Sequence, residues 1–302
     1  MKHTQSLAFA IAATLVCTTG YAAETDAWTI KTTPQVSYAG FSNAATRDSI
    51  VSAGLYADMQ YLDHGGITVG ASHTTLKMKF GAPTLQQNAL FLSGRMNFTP
   101  DALPGKLTVR ADVHRATNND ATNETNGVNV IAPQVGFMSF DKSYSLDLGY
   151  ARSRYGNSNI GNGGLSVSQW TPTVGFGFNQ GSDWLQLRVY DIHFSNALRA
   201  QNVTRTDALE VKWTHYLVAG GFTPEQIQVG ALVGKRLYAV DGDSGTLYNL
   251  ADTQRGSASL GTQWKLAENT RLIAQGGVER YENSLATRYS ANYVYVGITQ
   301  QW

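Results

Sequence analysis

Apolar and polar residues alternate along most of this chain. In Leu107-Thr108-Val109-Arg110-Ala111-Asp112-Val113-His114 the alternation runs without an error. It recurs in Tyr144-Ser145-Leu146-Asp147-Leu148, Leu185-Gln186-Leu187-Arg188-Val189, Leu209-Glu210-Val211-Lys212-Trp213 and Ile227-Gln228-Val229-Gly230-Ala231. A repeat of two residues is the strand signature, and helical spacing fits none of these segments. About 14 such segments follow one another, each near the roughly 9–11 residues that a tilted strand needs to cross a bilayer. They cover 30–41, 51–62, 66–76, 88–99, 106–116, 128–140, 143–154, 166–178, 183–195, 207–218, 226–239, 254–266, 270–281 and 290–302. Pro133 and Pro172 fall inside two of them. Each removes a ladder donor, so bulges or shifted ends are expected there.

The connections alternate short and long. Asp63-His64-Gly65, Thr99 to Gly105, Asp141-Lys142, Asn179 to Ser182, Gly220 to Pro224 and Ala267-Glu268-Asn269 read as turns. Longer polar loops lie between them: Thr117 to Gly127, Tyr155 to Gly164, Asn196 to Thr206 and Asp241 to Thr253. A soluble β-sandwich of the same composition has no reason to alternate loop length with this parity. The pattern predicts an all-β chain, a transmembrane antiparallel up-and-down β-barrel of about 14 strands with short turns at one end and longer loops at the other.

Composition agrees. No segment offers the roughly 20 apolar residues of a transmembrane helix. Mean hydropathy is −0.23, as expected when half of each strand faces lipid and half faces water. A net charge of +1 gives no case for a nucleic-acid partner. At the start, Lys2 and His3 precede an apolar run from Leu7 to Val16, and Gly20-Tyr21-Ala22 suits cleavage. This reads as a secretory leader over 1–22, too short to span a bilayer, followed by a single barrel domain over 23–302. The sole cysteine, Cys17, follows Val16, which does not suit lipid attachment, so it reads as part of the leader. The mature chain then enters an oxidising compartment without disulfides. Few residues precede the first strand. That counts against plugged transporters, two-partner secretion pores and fatty-acid channels that begin with an N-terminal plug.

The last strand places Val294, Val296, Ile298 and Trp302 on one face and Tyr293, Tyr295, Gly297 and Thr299 on the other. With Gly297 five positions before the final Trp302, it resembles the C-terminal targeting signal of Gram-negative outer-membrane β-barrels. Gln300 departs from that pattern, where an apolar residue is usual. The resemblance implies residence in the cell outer membrane, with Gly297 and Trp302 as targeting residues for the barrel-assembly machinery. Outer-membrane lipid and lipopolysaccharide would surround such a barrel. Arg152 and Arg154 break the outward apolar register near an external end, the height of lipopolysaccharide phosphates. Trp170, Phe178, Trp184, Trp213, Trp264 and Trp302 read as lipid-facing interfacial aromatics.

The opposite face carries the candidate chemistry. The inward, pore-lining set is Lys31, Asp58, Arg95, Arg110, Asp112, Arg188, Glu210, Lys212, Arg236, Lys265, Arg271 and Glu279, with Lys106, His114 and Asp147 beside them. Basic residues outnumber acidic ones. The expected function is a porin-like channel for passive passage of small polar solutes with a slight anion preference. The same charges could instead pair across strands and fill the interior. Tyr56, Phe91, Tyr190, Tyr216, Tyr238, Tyr293 and Tyr295 also point inward, where they could stack on sugar rings or simply pack. An export barrel for polysaccharide or protein secretion is the alternative, and it would need separate periplasmic partners.

A short motif suggests a second alternative. Asp191-Ile192-His193-Phe194-Ser195-Asn196-Ala197 resembles the His-x-Ser-Asn-Ala stretch of the lipid A deacylases of the PagL family, and a related arrangement occurs in outer-membrane phospholipase. The resemblance implies an acyl hydrolase with His193 activating Ser195. Both residues share the lipid-facing side with Leu185, Leu187 and Val189. Glu210, the nearest candidate for an orienting carboxylate, alternates into the lumen. No cofactor is implied. Asp241-Gly242-Asp243-Ser244-Gly245 has carboxylates on a glycine turn, as calcium would want, but the rest of an EF-hand loop is missing. It reads as a plain external turn, and no metal site is expected.

Overall fold

The computed structural model describes residues 27–218, 220 and 222–302; the expected leader over 1–22 lies outside them. The strands in chain order are β1 (Trp28–Ser42), β2 (Arg47–Tyr61), β3 (Gly65–Met78), β4 (Leu85–Phe98), β5 (Gly105–Asn118), β6 (Val128–Ser139), β7 (Tyr144–Tyr155) and β8 (Leu165–Phe178). They continue with β9 (Asp183–Phe194), β10 (Arg205–Tyr216), β11 (Gln226–Arg236), β12 (Val240–Asp241), β13 (Thr246–Leu247), β14 (Thr253–Ala267), β15 (Thr270–Glu282) and β16 (Arg288–Gln301). All but β12 and β13 join a closed antiparallel barrel of 14 strands, each next to its sequence neighbour. Every segment expected from the alternation is a strand of this wall.

Closure is made by β1 against β16, with Val36 opposite Val296 and Gln35 opposite Gly297. The Trp302 N–H donates to the Ile30 carbonyl at 2.8 Å, which extends the seam to the last residue. A closed ladder satisfies the backbone without water, the condition for a strand protein to sit in hydrocarbon. The outer surface fits that solvent. Leu55, Leu90, Ile131, Val135, Leu146, Leu148, Leu260 and Val294 are exposed. In water so large an apolar surface would be an aggregation hazard, but in a bilayer it is the lipid-facing belt.

Aromatic pairs mark its borders. Trp28 and Tyr61 lie 5.1 Å apart at the periplasmic end, and Tyr150 and Trp170 lie 4.8 Å apart toward the external end. Trp184 is a correction to the expected outer set. Its ring lies over Gly175 and Gly177 on the inner face: a Cβ on Gly175 would collide with the indole, and one on Gly177 would touch it at 3.4 Å. The two glycines leave room for an indole that the alternation of β9 already turns inward.

The prolines also behave differently from expectation. Pro133 pairs with Ala111 of β5, but the β6–β7 ladder skips from Ile131–Arg152 to Gln134–Gly149. Pro172 pairs with Leu148 of β7, but the β8–β9 ladder skips from Trp170–Asp191 to Thr173–Arg188. Pro34 interrupts the β1–β16 seam in the same way. No register shift accompanies any of the three. A proline costs one donor toward one neighbour, and the wall tolerates that loss in place. The observed bulges lie elsewhere, between Arg47 and Ser49, Val233 and Arg236, Gln254 and Gly256, and Lys265 and Ala267.

Candidate functional site: an inward loop and the cavity beside it

The loop expected to extend outward over 241–253 turns inward instead, and the inward segment begins at 237, inside the strand expected over 226–239. The β11–β14 ladder slips between Val233 and Arg236, and Gly234 adopts φ +108 there. Strand β11 therefore ends at Arg236 rather than at 239, and Tyr238, at φ +51, continues the turn into the lumen. Leu237, Tyr238, Ala239 and Val240 are buried in one cluster with Val128, Val130, Val167, Tyr190, Ile192 and Leu232 from the inner wall. Burial of such side chains contributes about 1.5–3 kcal/mol each.

Polar contacts fix the loop further. Val240 pairs with Leu247 and Asp241 with Thr246, making the small β12–β13 hairpin. The Gln169 side chain completes its free edge, donating to the Val240 carbonyl at 2.6 Å and accepting from the Val240 N–H at 3.0 Å. Asn249 donates to Gln87 at 2.8 Å and to the Thr125 carbonyl at 2.7 Å. Farther on, Asp252 pairs with Arg47 and accepts from the Tyr289 hydroxyl.

A cluster of charges lies below the hairpin. Arg188 reaches Asp243 at 2.5 Å, Asp241 at 3.2 Å and Glu210 at 3.6 Å. Lys212 reaches Asp243 at 3.1 Å and Glu210 at 3.4 Å. Burial alone would raise the Asp243 carboxyl, but the Arg188 and Lys212 cations outweigh it and hold it well below the usual carboxylate range. The turn 241–245 is thus an internal element, which corrects the external reading, and its carboxylates are neutralised by protein cations. Among the described residues no group of three or more His, Cys, Asp or Glu side chains is placed to hold a metal.

The hairpin tip faces the opposite wall across a cavity of about 210 Å³. Tyr56, Thr68, Phe91, Ser93, Arg95 and Arg110 form its wall side, and Asp243, Ser244 and Gly245 its loop side. A Cβ on Gly245 would lie 3.3 Å from the Phe91 ring, so tip and wall nearly touch. Arg95 grips Asp58 with two bonds of 2.6 and 3.0 Å. Arg110 donates to Asp112 at 2.7 Å and to Ser93 at 3.1 Å.

All twelve residues of the predicted inward set face the interior by register, but their environments differ. Arg95, Arg110 and Asp58 lie at or beside the cavity. Asp112, Arg188 and Arg236 are buried, and Glu210 and Lys212 belong to the charge cluster. Arg236 donates to Gln254 at 2.7 Å and lies against the Tyr248 and Tyr190 rings, with centroids at 3.9 and 5.0 Å. Toward the periplasm, Arg271 pairs with Glu225 at 2.8 Å and Lys265 with Glu268 at 3.9 Å. Glu279 accepts from the Tyr281 hydroxyl at 2.5 Å, and Lys31 stands opposite Asp58. Of the inward aromatics, Tyr190 is packed under the loop, Tyr238 lies in the loop itself rather than in a strand, and Tyr56 and Phe91 line the cavity.

Three residues that matter here lay outside the expected set. Asp241 and Asp243 come from a segment with no periodicity to place them. Arg199, in the loop 195–204, is buried and donates to the carbonyls of Gly156 at 2.5 Å, Gly163 at 3.0 Å and Glu124. It ties together three external loops. One of them, 119–127, is built around Asp120. Burial opposes ionisation of that carboxyl, but bonds from Thr122 and Thr125 hold it low.

His193 and Ser195 face outward, and Asp191 supplies the carboxylate that Glu210 does not. His193 Nε2 lies 3.1 Å from Asp191, while Glu210 points inward to Tyr190 and the cations. Ser195 Oγ, however, accepts from the Ser166 N–H at 2.9 Å and makes no hydrogen bond with His193. A nucleophile needs its base within hydrogen-bond reach. The purified protein is therefore expected to release no fatty acid from lipid A or phospholipid, and Ser195→Ala to change nothing. Release that disappears in Ser195→Ala, by a factor of about 10²–10⁴, would establish the hydrolase instead.

No family model matches the sequence, and neither does any curated protein. Solved structures do match the fold. The toluene transporter TodX of Pseudomonas putida aligns with a TM-score of 0.53 and 8% identity over 91% of this chain and 89% of that one. The ΔS2S3 mutant of the monoaromatic hydrocarbon channel TodX aligns at 0.53 and 10% identity, over 91% and 90%. The outer membrane protein Omp33 of Acinetobacter baumannii aligns at 0.46 and 8%, over 92% and 100%. At such identities the likeness is one of architecture: the chain is a β-barrel of the bacterial outer-membrane type.

Proposed function

We propose that this protein is an outer-membrane channel for small polar solutes, restricted by the loop 237–252. The observation that carries the reading is the cavity between the hairpin tip and the β2–β5 wall. A barrel of this size can leave a water-filled route, and an infolded loop sets its width. The lining chemistry selects the solute class. Thr68, Ser93, Arg95, Arg110, Asp243 and Ser244 offer hydrogen bonds and charge, whereas Tyr56 and Phe91 are its only rings. TodX is named for hydrocarbon passage, and this lining suits polar molecules better. The infolded loop also favours small solutes over export of a polymer.

A slight anion preference follows from Arg95 and Arg110 at the cavity. It is slight because Asp58 and Asp112 already pair with those two arginines, and Asp243 stands on the loop side of the cavity. In planar bilayers the wild type should conduct, and its reversal potential in a salt gradient should show anions permeating modestly better. Arg95→Gln with Arg110→Gln should abolish or reverse that preference. A cation-selective wild type would refute the assigned selectivity, and absence of any conductance would refute the channel.

A further inference from the structure

The outward face changes character near the external ends of β5 to β8. Tyr150 and Trp170 stand opposite each other there, an aromatic pair of the kind that sits at the lipid–water interface. One outward position farther, Arg152 stands opposite Ser168, to whose hydroxyl it donates at 2.7 Å. The next outward residue, Arg154, stands opposite Asn129, which in turn stands opposite Arg115. Arg115, Asn129, Arg152 and Arg154 are all exposed. Among the described residues none of these three arginines forms an ion pair. The carboxylates of that face, Asp191 and Asp207, are engaged by Arg205 at 2.7 and 3.8 Å.

We propose that Arg115, Arg152 and Arg154 bind the phosphate groups of an anionic lipid in the external leaflet. The depth is set by the aromatic pair beneath them: one step out from the interface is the headgroup layer. The spacing suits the task. Strands lie about 4.8 Å apart, so Arg115 and Arg154 are about 10 Å apart across β6, and Arg152 is about 7 Å along its own strand. Side chains of this length converge on one or two phosphates, and guanidinium forks match phosphate oxygens. Unpaired positive charge would otherwise be costly beside the hydrocarbon. A second outward group, Arg255, Arg280 and Arg288, lies across the barrel, but Glu282 takes Arg255 at 2.9 Å and Arg288 at 3.1 Å. The β5–β8 group has no such internal counter-ion.

The test uses the full barrel refolded into nanodiscs holding either phosphorylated lipid A or the same lipid with its phosphates removed. Retention of each lipid through detergent exchange is measured by native mass spectrometry. Wild type should retain the phosphorylated form about 100-fold better, given the usual contribution of each basic residue near an anionic surface. The variant R115Q/R152Q/R154Q should retain the two forms alike. Equal retention of both lipids by wild type overturns the proposal without recourse to any variant. An unchanged preference in the folded variant overturns it too.

Discussion

Replacing Arg188 by Met should raise single-channel conductance several-fold. The Arg188 side chain is 7% exposed and bonds two carboxylates of the hairpin, Asp241 and Asp243. Methionine fills similar volume and removes the charge, leaving Asp241, itself 9% exposed, without its principal partner. Removing one member of a buried pair costs about 3–5 kcal/mol, because the remaining charge is stranded. The apolar contacts of Leu237 to Val240 must then hold the loop against that cost. We expect the tip to leave the β2–β5 wall and the route to widen. Heat-modifiable mobility on gels would confirm that the wall itself remains folded. Conductance equal to wild type in such a folded variant would show that the hairpin does not limit passage.

Substituting Arg199 by Ala should loosen three loops at once. Its guanidinium serves carbonyls from 119–127 and 156–164, and it is itself anchored in 195–204. The carbonyls of Gly156 and Glu124 lose this donor, while that of Gly163 keeps the Ser158 N–H at 3.0 Å, so the main loss is the buried guanidinium that joins the loops. Limited proteolysis should then cut in all three loops while the strands resist, with amide exchange rising over the same residues. Arg199→Lys should rescue little, because one ammonium cannot reproduce a planar fork. Cleavage confined to 195–204 would show that the loops are independent of one another.

The wall was legible because its information is local. A period of two and a parity of loop lengths fix strands and direction, and Leu107 to His114 or Leu185 to Val189 need nothing else. The path of 237–252 was not. Tyr238, Val240 and Asp241 are placed by a slip at Gly234 and by partners far along the chain, such as Gln169 and Arg188. Nothing in a pattern of alternation records such partners. The inward charges were legible as a set, but their pairing was not, since two of the balancing carboxylates lie in that loop. Asp191 reaches His193 because alternation returns every second residue of one strand to the same face, whereas Glu210 on the neighbouring strand has the opposite parity.

The proline gaps have a mechanical consequence. The ladder loses a bond between β6 and β7 at Pro133 and between β8 and β9 at Pro172. The β7–β8 hairpin is therefore bounded on both long edges by weakened joints, while its own internal ladder, from Tyr144–Phe176 to Tyr155–Leu165, is unbroken. It behaves as a stiff panel set in a more compliant cylinder. Its outer side carries Arg152, Arg154 and the interfacial aromatics; its inner side carries Gln169, clamped to Val240. Any displacement of that panel would carry the Val240 end of the loop with it.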